Sequence, residues 1–234
     1  MAISLIGHGN KHVLALHGWF GTGSSWLETL SWLDPDLYTV AKPDYRGFGT
    51  RFDIPGNYDL AEISSDMLAL TGETGWSSFD IIGHSMGGKA AQRILADAPG
   101  RVRRMVAITP VPPIKMPFDD ATMAFFRSAA ADPSIRGMII AESTGKRHSD
   151  TFVNKLVSAS IKNSRVEAFA SYLESWVGDD LTARLGRPPH PVRIIVGKHD
   201  SALTAEVMRQ AFMPYYLNSH LVELEGCGHY PLFE

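Results

Sequence analysis

The sequence predicts an α/β fold, a mostly parallel, doubly wound sheet with an all-helical insertion between two of its strands. Three observations carry this. Short β-branched runs punctuated by glycine alternate with longer segments of helical period. Most of the runs are apolar at consecutive positions (Ile81-Ile82, Met105-Val106-Ala107-Ile108, Ile194-Ile195-Val196), the mark of strands covered on both faces. The rhythm then breaks between two proline clusters, Val111-Pro112-Pro113 and Arg187-Pro188-Pro189-His190-Pro191, which act as boundaries.

The predicted strands are His12–His17, Tyr38–Lys42, Phe79–Gly83, Arg104–Thr109, Val192–Gly197 and Ser219–Glu225, with a weakly signalled one around Ile3–Ile6. Between them, Asp59 and Glu62 have the spacing of a capping box, ahead of the apolar stripe Ile63, Met67, Leu68 and Leu70. A second helix is expected over Met86–Ala98, ended by Pro99-Gly100, and a third over Thr204–Phe212. The insertion shows helical patterns at Asp119–Ala131, Ile135–Ser143, Ser149–Lys162 and Ser164–Val177. The chain therefore divides into residues 1–110 as the first part of the core, 111–190 as a helical cap and 191–234 as the second part of the core. An apolar helix expected after the last strand is missing from the sequence.

Composition narrows the function. The 234 residues are 44% hydrophobic and 20% charged, enough apolar material for a real core. Twenty-two Lys+Arg against twenty-five Asp+Glu give a formal charge of -3, which offers no basic field to a nucleic acid. Cys227 is the single cysteine, so neither an intrachain disulfide nor a cysteine-only metal site is possible. No His-x-x-x-His pair falls on a helix, and no Gly-Lys-Ser/Thr phosphate cradle occurs, so neither a metal nor a nucleotide cofactor is expected. Without an apolar run of roughly 20 residues or a basic leader, the expected home is the cytoplasm, with no membrane partner and either a monomer or a homodimer.

The strongest motif is Gly83-His84-Ser85-Met86-Gly87-Gly88, between a predicted strand and a predicted helix. So tight a turn forces its middle residue into strained backbone geometry, so the residues two away on either side must lack side chains. It lifts the Ser85 hydroxyl clear of the sheet and places the Met86 N–H at a helix start, where negative charge is favoured. A serine is a weak nucleophile without a base. Of nine histidines, His229 in Gly226-Cys227-Gly228-His229-Tyr230-Pro231 follows the last strand, and Asp200 follows another, both at the sheet edge where ligands bind. Asp200 would hold the His229 imidazole in one tautomer and stabilise its cation. An oxyanion needs two donors; the backbone N–H groups of Trp19, in His17-Gly18-Trp19-Phe20, and of Met86 are the candidates. His17 is expected to order its loop, and Cys227 to fill space beside His229.

Taken in order, His17-Gly18-Trp19, Asp44-Tyr45-Arg46-Gly47-Phe48-Gly49, Gly83-His84-Ser85-Met86-Gly87-Gly88 and Asp200 with Gly228-His229 resemble the α/β-hydrolase superfamily over nearly the whole chain. Within it they are similar to small carboxylesterases and the bacterial perhydrolase or haloperoxidase-like group. The resemblance implies a cofactor-free serine hydrolase with a helical cap, and gives Asp44 and Arg46 a loop-pinning role. Ser85 at the nucleophile position argues against epoxide hydrolases and haloalkane dehalogenases, which use an aspartate there. The oxyanion loop lacks the Ser-Gly-Pro-Gly of carbon–carbon bond hydrolases. The leading expectation is hydrolysis of a small or medium ester or lactone, uncharged and modestly hydrophobic. A carbon–carbon hydrolase or lyase-like enzyme with the same triad, or a ligand sensor, stands behind it. Phe20, Phe125, Met138 and Trp176 are the candidate pocket residues, with Met116 and Phe118 near the mouth.

Overall fold

A computed structural model describes residues 4–234. Seven strands, β1 (Leu5–Ile6), β2 (Lys11–Leu16), β3 (Tyr38–Ala41), β4 (Phe79–His84), β5 (Val102–Ile108), β6 (Pro191–Gly197) and β7 (Asn218–Leu224), form one sheet in the order β1-β3-β2-β4-β5-β6-β7. Every neighbouring pair is parallel except β1 with β3. Each expected strand has its counterpart, shifted by a residue or two at the ends; of the weakly signalled first one, Ile3 lies outside the described residues. The β1 to β3 side grows outward from β2 and the β5 to β7 side from β4, so the winding reverses between β2 and β4. Parallel sheets open a crevice beyond the carboxyl ends of the strands at such a reversal. The loop at His17 and the turn at Ser85 follow those two strands.

The helices are α1 (Leu27–Leu30), α2 (Leu60–Glu73), α3 (Met86–Asp97), α4 (Asp120–Ser128), α5 (Pro133–Ser143), α6 (Asp150–Asn163), α7 (Val166–Gly178), α8 (Thr182–Leu185) and α9 (Ala205–Ala211). Helices α4 to α8 all lie between β5 and β6, within the stretch the proline clusters bracket. The expected capping box of α2 forms by half. Asp59 accepts the Glu62 N–H at 2.7 Å, but Glu62 takes the N–H groups of Asn57 (3.0 Å) and Tyr58 (3.1 Å) instead of that of Asp59. Tyr58 adopts φ +57°, and this reversal just before the cap carries those amides to the Glu62 carboxylate.

One apolar cluster runs from the sheet (Leu14, Ile81, Met105, Ile194) through α3 (Ala90, Ile94) into α7 (Phe169, Leu173, Trp176), so the inserted helices share the sheet's core. Fully burying a side chain such as Phe169 or Leu173 contributes about 1.5–3 kcal/mol. Polar ties reinforce the junction. The Trp19 indole N–H donates to Phe169 O at 2.8 Å, and Tyr172 Oη donates to Arg46 O at 3.2 Å. Lys89, on α3 and fully buried, donates to Ile114 O (2.8 Å) and Trp176 O (2.9 Å). Burial pushes its ammonium down to about 8. Nothing in the sequence marked Lys89, which sits among the alanines of an apolar stripe. On the opposite face of the sheet Ala15, Val40 and Ile108 pack with Trp26, Leu30 and Leu232 in a smaller cluster.

Candidate active site

Ser85 occupies the turn from β4 into α3 with φ +56° and ψ -119°. A Cβ on Gly83 would lie 2.2 Å from Gly87 O, and one on Gly87 2.4 Å from Leu16 O, so both flanking positions require glycine. The turn is held from below, where Ser85 N–H donates to Ile108 O (3.0 Å) and Val111 N–H donates to Ser85 O (3.1 Å). The side chain is thereby presented on rigid backbone at the sheet's edge.

His229 and Asp200 meet it there. The His229 Nε2 lies 3.0 Å from Ser85 Oγ and its Nδ1 2.7 Å from Asp200 Oδ2. With Asp200 ionised, Nδ1 carries the proton and donates it, which leaves Nε2 as the acceptor for the Ser85 hydroxyl. The other Asp200 oxygen accepts the N–H groups of Ala202 and Leu203, each at 2.9 Å. Burial disfavours charge on Asp200, yet the neighbouring His229 and these hydrogen bonds outweigh it and hold the carboxyl below its ordinary range.

Sequence reasoning missed what fixes His229. Its carbonyl accepts from His84 Nε2 (2.7 Å) and from Thr109 Oγ1 (3.0 Å), and its N–H donates to Ser143 O (3.0 Å) at the end of α5. Burial, with the His229 ring nearby, pushes His84 down to about 3, so it stays neutral as a donor. Glu234 braces the same loop by accepting the N–H groups of Gly228 (2.8 Å) and Tyr230 (2.9 Å). His84 ends β4 within the serine motif and Thr109 directly follows β5, the sequence signals that could have found them.

The loop after β2 abuts the turn, since a Cβ on Gly18 would lie 3.2 Å from Ser85 Cβ and 2.8 Å from His84 Nδ1. Gly21 N–H donates to Gly18 O at 3.0 Å, closing a turn with Trp19 and Phe20 at its centre, so the closing bond does not use the Trp19 N–H. Met86 is the first residue of α3, whose N–H the helix itself cannot pair. His17 orders this loop, with Nδ1 donating to Gly18 O (2.9 Å) and Nε2 accepting from Tyr45 N–H (3.4 Å). Burial holds its imidazole below the ordinary range. Asp44 pins the neighbouring loops through Gly23 N–H (2.7 Å) and Thr50, and Arg46 forms a bidentate pair with Asp66 (2.8 Å each). Cys227 is buried, which pushes its thiol up and away from nucleophilic use.

Two cavities flank the Ser85–His229 pair. The inner one, of about 100 Å³, lies under the inserted helices between Phe20, Met116, Phe118, Phe126, Ile139 and Trp176. The outer one, of about 210 Å³, is bounded by Thr22, Ser24, Ser25, Lys155 and Asn163. Of the expected pocket residues, Phe20 and Trp176 line the inner cavity, with Met116 and Phe118. Phe125 and Met138 do not; they are 37% and 45% exposed. Successive helical residues point about 100° apart, so turning Phe126 and Ile139 inward swings Phe125 and Met138 out. Phe126 faces Trp19 and Trp176, with ring centres 6.2 and 6.1 Å away. No group of His, Cys, Asp or Glu suited to a metal ion occurs among the described residues. Nor is any helix among them long and apolar enough to cross a membrane.

Residues 13–234 match the family described as the Alpha/beta hydrolase family. The chain belongs to the α/β-hydrolase family. Over 107 residues, 45% of this chain, it is 36% identical to the dihydrolipoyllysine-residue acetyltransferase component of the acetoin cleaving system of Cupriavidus necator. That stretch is 28% of the relative, and further relatives, a putative carbamate hydrolase of Caulobacter vibrioides and a non-heme chloroperoxidase of Streptomyces lividans among them, are likewise covered over less than half of their length. Solved α/β-hydrolase folds match over nearly the whole chain. The bromoperoxidase from Bacillus anthracis has a TM-score of 0.87 at 23% identity, covering 97% of this chain and 88% of that one. An esterase from Exiguobacterium antarcticum has a TM-score of 0.83 at 21% identity, covering 97% and 87%. At these identities the likeness is one of fold.

Proposed function

We propose that this α/β-hydrolase is a serine hydrolase that cleaves a small or medium carboxylic ester or lactone through an acyl-enzyme on Ser85. The observation that carries the reading is the continuous chain from Ser85 Oγ to His229 Nε2 (3.0 Å) and from His229 Nδ1 to Asp200 Oδ2 (2.7 Å), opening onto two cavities. His229 takes the Ser85 proton as the hydroxyl oxygen attacks the carbonyl carbon. Asp200 keeps the imidazole in the tautomer this needs and stabilises its cation. The Trp19 and Met86 N–H groups receive the oxyanion, each worth about 2.7–4 kcal/mol in such sites. His229 then delivers the proton to the leaving alcohol, and a water activated by the same nitrogen releases the acid. Every proton in this cycle moves between Ser85, His229, water and substrate.

Residues 111–190 act in this reading as a cap that shapes the pocket. The inner cavity's aromatic wall favours an uncharged, modestly hydrophobic group over a sugar or a phosphate. A fluorophosphonate probe tests the mechanism, with a single adduct on the Ser85 peptide expected by mass spectrometry and lost in Ser85→Ala. Labelling at another residue, or none in folded protein, would overturn it. Hydrolysis of p-nitrophenyl butyrate with a burst of p-nitrophenol is expected. A carbon–carbon bond hydrolase would instead favour a vinylogous diketone and show no burst.

A further inference from the structure

The two cavities beside Ser85 differ in chemistry as well as in place. The inner one is walled by Phe118, Phe126, Trp176 and Leu203, and its one charged side chain, Asp200, is fully engaged by His229 and two backbone amides. The outer one has apolar walls from Trp19, Phe20, Leu156 and Phe233 and carries the hydroxyls of Thr22 and Ser24, which pair with each other at 2.7 Å, the hydroxyl of Ser25 and the ammonium of Lys155, and no carboxylate lines it. Lys155 projects from α6, is exposed, and forms no ion pair among the described residues. Histidines 84 and 229 complete the polar wall, the former held neutral by burial.

The order of the chemistry fixes which arm of an ester goes where. The alcohol leaves first and needs a route to solvent, while the acyl arm stays until water arrives. Four exposed residues line the outer groove (Ser24, Lys155, Ala159 and Phe233), against one in the inner cavity (Ala202), so the wider way out to solvent is on the outer side. Its volume of about 100 Å³ lies below the 150 Å³ that accommodates benzene in an engineered apolar cavity. That leaves room for an acyl arm of about three or four carbons.

Resting on the ester-hydrolase reading above, we infer that the preferred substrate is the ester of a short, uncharged acyl group with a carboxylate-bearing alcohol, and that Lys155 is the residue that selects the negative charge. A carboxylate on the leaving group would lie in a groove that offers the Lys155 ammonium and the Ser25 hydroxyl, with no carboxylate in its lining to compete. Electrostatic pairing of this kind acts mainly on capture and is weakened by salt.

The test uses two butyrate esters that differ only in charge on the leaving group, p-nitrophenyl butyrate and 5-butyryloxy-2-nitrobenzoate. The wild-type enzyme should show the higher kcat/KM on the anionic ester, and that advantage should shrink at 0.5 M NaCl as the charges are screened. Lys155→Met should lower kcat/KM on the anionic ester about tenfold, mainly through KM, as expected for a lost pairing of roughly 1.4 kcal/mol, and leave the neutral ester within twofold. Lys155→Glu should lower it further. With butyrate replaced by octanoate, both esters should slow together. Equal effects of Lys155→Met on the two esters, or none on either, would overturn the inference while leaving the esterase reading intact. Failure of a fluorophosphonate to label Ser85 would instead overturn the underlying mechanism.

Discussion

Two Asp–His sets stand at the carboxyl edge of the sheet, and only one of them reaches a serine hydroxyl. Asp44 and His17 follow β3 and β2, and Asp200 and His229 follow β6 and β7. Both carboxylates are buried, both accept backbone N–H groups, and both lie below the ordinary carboxyl range. The difference lies in the free nitrogen. His17 uses Nδ1 on Gly18 O and Nε2 on the Tyr45 amide, and it is 0% exposed. His229 uses only Nδ1 internally and turns Nε2 toward Ser85 Oγ and the two cavities. A histidine with both nitrogens satisfied orders backbone, whereas one with a single nitrogen committed can carry a proton.

The largest expected effect separates the two sets directly. Ser85→Ala and His229→Ala should each reduce kcat/KM on p-nitrophenyl butyrate by about 10³–10⁶-fold with little change in melting temperature, because such residues act as a unit. His17→Asn should cost activity no more than about tenfold and show its damage in the melting temperature. Equal losses at positions 17 and 229 would erase the distinction.

Next, the carboxylates should divide in the same way. Asp200→Asn should lower kcat by about 10²–10⁴-fold, since an amide no longer enforces the tautomer. Asp44→Asn should change kcat only a few-fold but lower unfolding free energy by about 1.5–3 kcal/mol, as charge-assisted bonds to Gly23 and Thr50 are lost. Urea unfolding beside steady-state kinetics measures both.

A third expectation concerns the neutral histidines. His84 has a folded value of about 3 against 6.5 for the free side chain, and burial lowers His17 too. The unfolded chain therefore binds protons that the folded one refuses. Their contribution to stability is complete above pH 6.5 and is lost as pH falls toward 3, at up to about 1.4 kcal/mol per pH unit for His84. Denaturant midpoints should fall between pH 7 and 4.5, and His84→Gln should flatten that fall.

The smallest effect sharpens the picture of how His229 is aimed. Thr109→Val removes one of two donors to the His229 carbonyl, and should cost about 1 kcal/mol of stability and a few-fold in kcat. An unchanged kcat would place the aiming with His84 and Ser143 alone.

Much of this was legible in the residues. The strands declared themselves because both faces of a parallel sheet must be apolar, and the turn at Ser85 because its two glycines leave no room for a Cβ. Asp200 and His229 were readable from their place after strands, since the sheet's direction brings all such loops to one edge. Thr109 and Lys89 were not, because their roles depend on carbonyls more than twenty residues away, and Glu234 was not, because its role depends on how the final loop folds back on its own amides. Phe125 and Met138 misled for a related reason: each has an apolar neighbour one step along its helix, and a small rotation of the helix decides which turns inward.

By itself, then, the sequence determined the strand order's raw material, the strained turn and the residue types of the relay, because these follow from local sterics and periodicity. Only the tertiary structure decided which aspartate faces which histidine, which aromatic rings wall the inner cavity and where Lys155 stands. Those are matters of distance between elements remote in the chain, set by how helices and loops settle on a shared core.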